Sequence, residues 1–229
     1  MKLLIIEDEM ALQESIRDYL TKEGYVCETA SDYHMAEEKV HLYRYDVVLL
    51  DLTLPFGNGI EILKALRKEQ PETGTIIISA KDALDDKLTA LDLGADDYMT
   101  KPFHLSELNS RIRAVIRRRR FDGTEKIIFN EITIDTNSRE IQINDRIISL
   151  TRKEYEMLLH FIINKNRVFT KESIAEHLWG DHIDMSENFD FIYTHLNNLR
   201  KKLKQAGCRD YIRTMYGIGY KFEALEAIK

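Results

Sequence analysis

A ten-residue stretch, DVVLLDLTLP at positions 46–55, decides the fold of the first half of the chain. Four consecutive apolar residues, Val47 to Leu50, form a run of strand type that ends on the carboxylate of Asp51. A bare carboxylate at the end of a buried strand is costly unless it is paired, protonated or bound to a metal. The stretch therefore predicts a buried strand whose terminal charge is compensated by residues elsewhere in the chain.

Strand and helix patterns alternate through residues 1–119, which we predict to form one domain. Apolar runs of strand type lie at 2–6, 25–29, 46–50, 75–79 and 97–101, and helical periods lie near 9–22, 33–43, 59–69, 82–92 and 105–119. This alternation predicts an α/β fold with a five-stranded parallel, doubly wound sheet in the flavodoxin-like order 2-1-3-4-5. In such sheets, ligands bind at the carboxyl ends of the strands.

Side chains suited to metal and phosphate chemistry fall at those strand ends. Glu7 and Asp8 follow the first strand and Asp51 ends the third; Ser79 ends the fourth, and Lys101 ends the fifth. Carboxylates are the protein ligands that Mg²⁺ prefers. We therefore predict a magnesium site in which Asp51 is the nucleophile that forms an aspartyl phosphate.

The pattern changes after Arg120. Residues 120–125 read as a short polar linker, and residues 126–229 as a second, α+β domain. Its predicted elements are four short strands between 126 and 150, a helix that Thr151 caps with Glu154 at capping-box spacing, a helix after Thr170, a long helix near 187–205 and a hairpin around Gly217 and Gly219.

Charge is distributed unevenly along the chain. Residues 1–110 carry 11 basic and 22 acidic residues, and the net charge of the whole chain is -6, which by itself argues against nucleic acid. Between 197 and 221, however, seven basic residues accompany a single acid, and a phosphate backbone responds to local charge density. The seven are Arg200, Lys201, Lys202, Lys204, Arg209, Arg213 and Lys221.

Several motifs, in one order, resemble the bacterial two-component response regulators. The motifs IIEDE (5–9), DVVLLDLTLP (46–55), IIISAKD (76–82) and GADDYMTKPF (94–103) resemble the receiver domain. The motifs LTRKEYEMLLHF (150–161), HLNNLRKKL (195–203) and GIGYKF (217–222) resemble the winged helix-turn-helix domain of the OmpR/PhoB subfamily.

The resemblance implies a role for each residue at the strand ends. Asp51 is the expected phosphoacceptor, and a sensor histidine kinase is the expected donor. The other implied roles are Mg²⁺ binding by Glu7, Asp8, Asp51 and the backbone carbonyl of Thr53, contacts of Lys101 and Ser79 with phosphoryl oxygens, and a conformational switch formed by Ser79 and Tyr98.

The long helix of the second domain has two faces. One is an apolar stripe of Phe189, Ile192, Leu196, Leu199 and Leu203. The other suits the major groove of double-stranded promoter DNA, because asparagine can bond adenine and cations neutralise phosphates. The predicted DNA-binding residues are Thr194, His195, Asn197, Asn198, Arg200, Lys201 and Lys202 on the helix, with Arg213 and Tyr216 in the hairpin.

Thr53 departs from the more usual apolar residue of the receiver family, and two positions of the second domain depart from the pattern of theirs. Tyr216 stands where many relatives carry an arginine that enters the minor groove, with Arg213 and Lys221 as alternative cations, and Asp190 stands where a basic residue is common. The resemblance further implies that residues 179–186 contact RNA polymerase. It also implies a homodimer on phosphorylation, with the pairs Lys87 and Glu107, Asp97 and Arg111, and Asp96 and Arg118.

The expected location is the cytoplasm, without membrane association. The opening MKLLII runs into three acidic residues, which excludes an adequate signal-peptide core, and no uncharged run approaches the roughly 18 residues that span a bilayer. Cys27 and Cys208 are predicted to be buried, inert thiols.

The residues leave two alternative functions open. The first is a phosphatase of the haloacid-dehalogenase type, which also uses a strand-end aspartate, although Thr53 stands where that chemistry has a second aspartate as general acid. The second is a DNA-binding protein that does not depend on phosphorylation. We expect a regulator rather than an enzyme, with slow autodephosphorylation as its only other chemistry.

Overall fold

The computed structural model describes residues 1–80, 84–120, 123–124, 126–136, 138–180 and 189–224. The chain divides into two compact units, Met1–Gly123 and Thr124–Lys229. Phe121, Asp122 and Glu125 of the predicted linker lie outside the described residues, as do residues 181–186 of the predicted polymerase-binding segment.

The first unit is the predicted doubly wound α/β fold. Its strands are β1 Lys2–Ile6, β2 Val26–Ala30, β3 Val47–Leu50, β4 Thr53–Leu54, β5 Gly57–Asn58, β6 Gly74–Ser79 and β7 Asp97–Thr100. Its helices are α1 Met10–Lys22, α2 Tyr33–Leu42, α3 Gly59–Glu69, α4 Leu84–Asp92 and α5 Leu105–Arg120. Five strands pair in parallel in the order β2-β1-β3-β6-β7, which confirms the predicted topology.

Burial explains why the strands form a parallel sheet. Every residue of β1, β3 and β6 is buried, as expected for strands covered by helices on both faces. The antiparallel pair β4 and β5 was not predicted; it is a two-residue hairpin that turns at Pro55 and Phe56, directly after Asp51. Because β1, β3 and β6 run parallel, their carboxyl ends lie at one edge of the sheet. The β4–β5 hairpin follows the end of β3 at this edge.

A glycine allows helix α3 to begin against the end of β3. A Cβ atom at Gly59 would lie 2.3 Å from the backbone oxygen of Asp51, a distance that no side chain tolerates. The side chain of Asn58 caps this helix by accepting a hydrogen bond from the Ile60 N–H at 2.9 Å. This close approach fixes the backbone on which the Asp51 side chain is mounted.

The described part of the second unit combines two antiparallel sheets with three helices. Its elements are β8 Lys126–Phe129, β9 Ile132–Asp135, β10 Glu140–Ile143, β11 Arg146–Ile148, α6 Arg152–Ile163, β12 Val168–Phe169, α7 Lys171–Trp179, α8 Asp190–Gln205, β13 Ile212–Met215 and β14 Gly219–Phe222. The sheets have the orders β11-β10-β9-β8 and β12-β14-β13.

Local sequence signals set the helices of this unit. Thr151 and Glu154 form the predicted capping box of α6, and Thr170 caps α7. The predicted apolar stripe of α8 is buried at Ile192, Leu196, Leu199 and Leu203, and Phe189 is the half-buried N-cap residue. Strand β12 was not predicted, because two residues are too few to show a period.

Candidate functional site

Three carboxylates meet at the carboxyl edge of the parallel sheet. Glu7, Asp8 and Asp51 each offer an oxygen, and these atoms lie within 4.8 Å of one another. Glu7 and Asp51 are buried and Asp8 is exposed, so the cluster opens to solvent on one side. Clustered carboxylates with a solvent-facing side could hold a hard divalent cation.

Among the described residues, one ammonium joins the cluster: that of Lys101, directly after strand β7. The Lys101 Nζ atom lies 2.7 Å from Glu7 Oε1 and 2.6 Å from Asp51 Oδ2. Burial opposes the charge on Lys101, but hydrogen bonds to Asp51 and Glu7 outweigh it and raise the pKa of the lysine. Burial also raises the pKa of Glu7 in spite of Lys101, so this carboxylate is held at an energetic cost.

Hydrogen bonds fix the direction of the acidic side chains. Asp51 Oδ1 accepts a hydrogen bond from the Thr53 N–H at 2.8 Å, and Asp51 Oδ2 accepts one from Lys101 Nζ at 2.6 Å. The buried amide of Gln13 donates to the backbone oxygens of Glu7 at 2.7 Å and Ala30 at 3.0 Å. Gln13 was not predicted from sequence; the available signal is a polar residue on the buried face of α1, beside Ile16 and Leu20.

The other predicted residues of this site lie on β6 and β7. Ser79 is fully buried at the end of β6, and its carbonyl accepts a hydrogen bond from the Lys101 N–H at 2.9 Å. Tyr98 pairs with Ile77 across the sheet, packs against the core and lies with its ring centroid 5.8 Å from Lys87 Nζ. The structure thus brings Glu7, Asp8, Asp51 and Lys101 together, with Ser79 linked to them through backbone.

The residues predicted for a dimer interface are largely engaged within the protomer. Arg111 contacts Asp97 at 2.9 Å and Glu107 at 2.8 Å. The nearly buried Asp96 carboxylate binds Arg119 at 2.5 Å and Arg67 at 3.4 Å. Arg118 donates a hydrogen bond to the backbone oxygen of Asp96 at 3.1 Å. Within the described protomer, Lys87 and Glu107 do not form an ion pair, and Arg118 does not pair with the Asp96 carboxylate.

Helix α8 presents a polar face opposite its buried stripe. Thr194, Asn198 and Lys201 are exposed, and Asn197 is half-buried. Tyr193, which was not predicted, is 54% exposed on the same helix. In the sequence, Tyr193 can be told from the core residue Ile192 beside it only once the buried stripe is known.

The cations at the flanks of α8 are engaged with their own unit. Lys202 Nζ lies 2.7 Å from Glu154 Oε2, the capping-box carboxylate of α6. Arg200 donates to the carbonyl of Ile212 and to Thr214 Oγ1. The His195 ring lies 5.4 Å from Trp179, centroid to centroid. These three predicted DNA-binding residues therefore also hold α8 against α6, α7 and β13.

The tip of the β13–β14 hairpin carries an exposed aromatic. Tyr216 is 93% exposed, beside Gly217 at a positive φ of 74°. The alternative cations Arg213 and Lys221 both contact Glu223, at 3.8 and 2.6 Å. At the other end of α8, Asp190 lies 3.6 Å from Lys171.

Comparison with known proteins agrees with this architecture. The family described as response regulator receiver domain matches residues 3–113, and the family described as transcriptional regulatory protein, C terminal, matches residues 145–222. The response regulator ArlR of Staphylococcus aureus is 40% identical over 219 residues, which covers 96% of this chain and 98% of that protein.

Further similarities point the same way. The transcriptional regulatory protein PmrA of Pectobacterium parmentieri is 36% identical over 220 residues, 96% of each chain. A response regulator receiver domain protein from Methanospirillum hungatei has a TM-score of 0.51 at 27% identity, and the match covers 53% of this chain and 98% of that one.

An α/β unit with an acidic, lysine-bridged site, followed by a unit with the helices α6, α7 and α8 and a β-hairpin, defines a response regulator with a DNA-binding output domain. The chain belongs to the OmpR/PhoB family of two-component response regulators. No helix of the described residues has the length and apolar character needed to cross a membrane.

Proposed function

We propose that Asp51 accepts a phosphoryl group from the phosphohistidine of a sensor histidine kinase, and that the phosphorylated protein dimerises and binds promoter DNA in the cytoplasm. One observation carries the proposal: the Lys101 ammonium bridges Glu7 and Asp51 inside a cluster of three carboxylates. We take residues 1–119 as the receiver, 120–125 as the linker and 126–229 as the DNA-binding domain.

The transfer forms one bond and breaks one. A carboxylate oxygen of Asp51 attacks phosphorus, the phosphorus–nitrogen bond breaks, and the histidine imidazole keeps the bonding electron pair and takes up a proton. Because the Thr53 N–H and Lys101 each hold one oxygen of Asp51, the carboxylate is oriented before the donor arrives. Phosphoryl transfer depends mainly on such positioning and on charge neutralisation.

Lys101 and Ser79 would then stabilise the product. The ammonium is within reach of any group bonded to Asp51 Oδ2 and would pair with a phosphoryl oxygen. The Ser79 hydroxyl would donate to a second oxygen, and Tyr98 on the neighbouring strand would turn inward as Ser79 moves. This switch would pass the change to α4, β7 and α5.

The acidic residues fit Mg²⁺. Among the described residues, three carboxylates face one ammonium, so this cluster combines surplus negative charge with oxygen ligands. Glu7, Asp8, Asp51 and the backbone carbonyl of Thr53 would hold the ion. When bound, it supplies positive charge against the phosphoryl oxygens.

Mass spectrometry tests the phosphoacceptor. Incubation with acetyl phosphate and Mg²⁺ is expected to add one phosphoryl group to Asp51, and Asp51→Asn is expected to abolish the modification. Glu9→Gln, an exposed neighbouring carboxylate, is the matched control and should be modified like the wild type. Equal labelling of the wild type and Asp51→Asn would contradict the proposal.

The alternatives make different predictions. A phosphatase would turn over small phosphoesters, and Thr53 in place of a general acid argues against it. A regulator independent of phosphorylation would not need the intact cluster of Glu7, Asp8, Asp51 and Lys101. Steady release of phosphate from small phosphoesters would favour the phosphatase.

We propose that phosphorylation promotes a symmetric dimer through α4, β7 and α5. Lys87 with Glu107, Asp97 with Arg111, and Asp96 with Arg118 are the proposed pairs across the two-fold axis. Since Arg111 is bound to Asp97 and Glu107 within the protomer, dimerisation requires these bonds to be shared or exchanged. Equal monomer fractions of phosphorylated wild type and Arg111→Glu in sedimentation would contradict this interface.

On DNA, the exposed face of α8 would enter the major groove. Thr194, Asn197 and Asn198 would contact base edges, and His195, Arg200, Lys201 and Lys202 would lie beside the backbone. Tyr216 and Arg213 would place the hairpin at the adjacent minor groove. We also propose that residues 179–186 contact RNA polymerase, on the family resemblance alone.

A further inference from the structure

The seven basic residues between positions 197 and 221 separate into two groups. Arg200, Lys202, Arg213 and Lys221 all have carboxylate or carbonyl partners within the unit. By contrast, the side chains of Lys201, Lys204 and Arg209 form no ion pair or hydrogen bond with any residue that the structure describes. Only the second group has its charge fully available to an external anion.

These three available cations line one cavity at the carboxyl end of α8. The cavity has a volume of about 390 Å³, and Arg200 and Asp210 complete its charged wall. Arg200 and Asp210 lie 3.6 Å apart and offset each other, so the remaining charge is that of the three cations.

Neither residue of the cavity floor carries a charge. The floor is formed by Leu203 and Cys208, which are both buried. Burial, together with Glu131, raises the pKa of the Cys208 thiol to about 12, so the thiol is neutral. The cavity therefore joins an apolar floor to a positively charged rim.

Helix stability alone does not account for this arrangement. Cations in the last turn of a helix stabilise it through the helix dipole, which explains Lys204. Arg209 lies beyond the helix end, after Gly207 at a φ of 86°, and yet lines the same cavity. A second segment of chain thus adds a cation that the helix does not require.

The cavity continues the polar face of α8. Lys201 and Lys204 lie seven residues after Thr194 and Asn197, and residues seven apart share a helix face. Seven residues correspond to about 10 Å along the axis. The major groove is about 12 Å wide, so cations at that distance from base-reading residues lie at the level of a phosphate strand.

We propose that Lys201, Lys204 and Arg209 form a phosphate clamp that holds the DNA backbone at the edge of the half-site. The clamp rests on the proposed DNA binding and adds Lys204 and Arg209 to it. It contributes affinity without base preference, while Arg200 and Lys202 mainly hold α8 in place.

The salt dependence of DNA binding tests the clamp. With a random-sequence duplex, Lys204→Ala and Arg209→Ala are each expected to lower the slope of log K against log salt by about 0.9. Lys204→Arg keeps the charge and should keep the wild-type slope. Lys165→Ala, an exposed lysine outside the cavity, should also leave the slope unchanged.

The outcomes separate this inference from the proposed function. Wild-type binding with unchanged slopes for both alanine variants overturns the clamp alone. Absence of DNA binding by the wild type overturns both. Saturable binding of inorganic phosphate, lost in Arg209→Ala while the DNA slopes stay unchanged, would assign the cavity to a small phosphorylated ligand and so overturn its assignment to DNA.

Discussion

At the scale of single residues, the acidic site is built at the expense of stability. Glu7 is buried, and its pKa is raised by burial even though Lys101 lies 2.7 Å away. The folded protein therefore favours the neutral form of this carboxyl more than the unfolded chain does. A carboxyl group held at this cost agrees with the proposed metal site, which would use its charge.

Replacement of Glu7 by glutamine tests this cost. Because the folded pKa lies above the ordinary value of 4.5, wild-type stability declines as pH rises through the folded pKa. Glu7→Gln is expected to unfold at higher urea than the wild type at neutral pH without divalent metal, and the difference should vanish below pH 4.5. Glu9→Gln controls for net charge; a less stable Glu7→Gln at neutral pH would refute the argument.

Phe56 carries backbone strain beside the same site. Its φ is 65°, in the left-handed region, and its ring is 80% exposed, so the ring gains little from burial. Phe56→Gly is expected to be more stable than Phe56→Ala by about 1 kcal/mol, since only glycine relieves the strain. Urea unfolding of the two variants measures the difference. The usual order, with alanine more stable, would show that the turn is not strained.

At the scale of elements, one ion pair joins two helices of the second unit. Glu154 is buried, caps α6 through Thr151, and accepts a hydrogen bond from Lys202 of α8. Despite the burial that opposes its charge, the bond to Lys202 and those to Thr151 lower the pKa of Glu154. The pair therefore links the capping of one helix to the position of the next.

Removal of Lys202 should weaken this link. Lys202→Ala is expected to lower the free energy of unfolding by about 1 to 2 kcal/mol, less than for a fully buried pair because water screens the partly exposed ammonium. The lowered pKa means that Glu154 contributes stability above pH 4.5 and loses it as pH falls through the folded pKa, so the effect should shrink in acid.

Tryptophan fluorescence can follow this unfolding. Trp179 is the single tryptophan of the chain and lies on α7, against His195 of α8. Lys201→Ala, an exposed neighbour on the same helix, is the matched control and should unfold like the wild type. Equal stability of Lys202→Ala and Lys201→Ala at neutral pH would contradict a role for the ion pair.

Sequence alone predicted the elements with strong periodicity and missed those without it. Val47 to Leu50 and the stripe of α8 repeat over enough residues to predict a strand and a helix. Strand β12 has two residues, and its pairing with β14 depends on contacts far apart in the chain. Short strands of this kind follow from the tertiary fold and leave no local pattern.

The candidate site was predictable where residue type and strand end coincide. Glu7, Asp8, Asp51 and Lys101 converge because parallel strands share a carboxyl edge. Partner choice was not predictable: Lys202 and its neighbour Lys201 have the same chemistry, and only the fold places one against Glu154. For the same reason the amide of Gln13 was missed.

At the scale of the whole molecule, we propose that chemistry in the first unit controls DNA binding by the second. The first unit holds Asp51, the proposed phosphoacceptor, and the second holds the polar face of α8 and the cationic cavity. Dimerisation is the proposed connection, because two half-sites bound together gain affinity through effective concentration.

The most direct measurement is DNA affinity with and without phosphorylation. Anisotropy titrations of promoter DNA at constant salt, with Mg²⁺ and with or without acetyl phosphate, compare the wild type with Asp51→Asn. The wild type is expected to bind at least about tenfold more tightly after treatment, a difference of about 1.4 kcal/mol, and Asp51→Asn should not respond. An equal affinity of treated and untreated wild type, with Asp51 phosphorylated, would contradict the account.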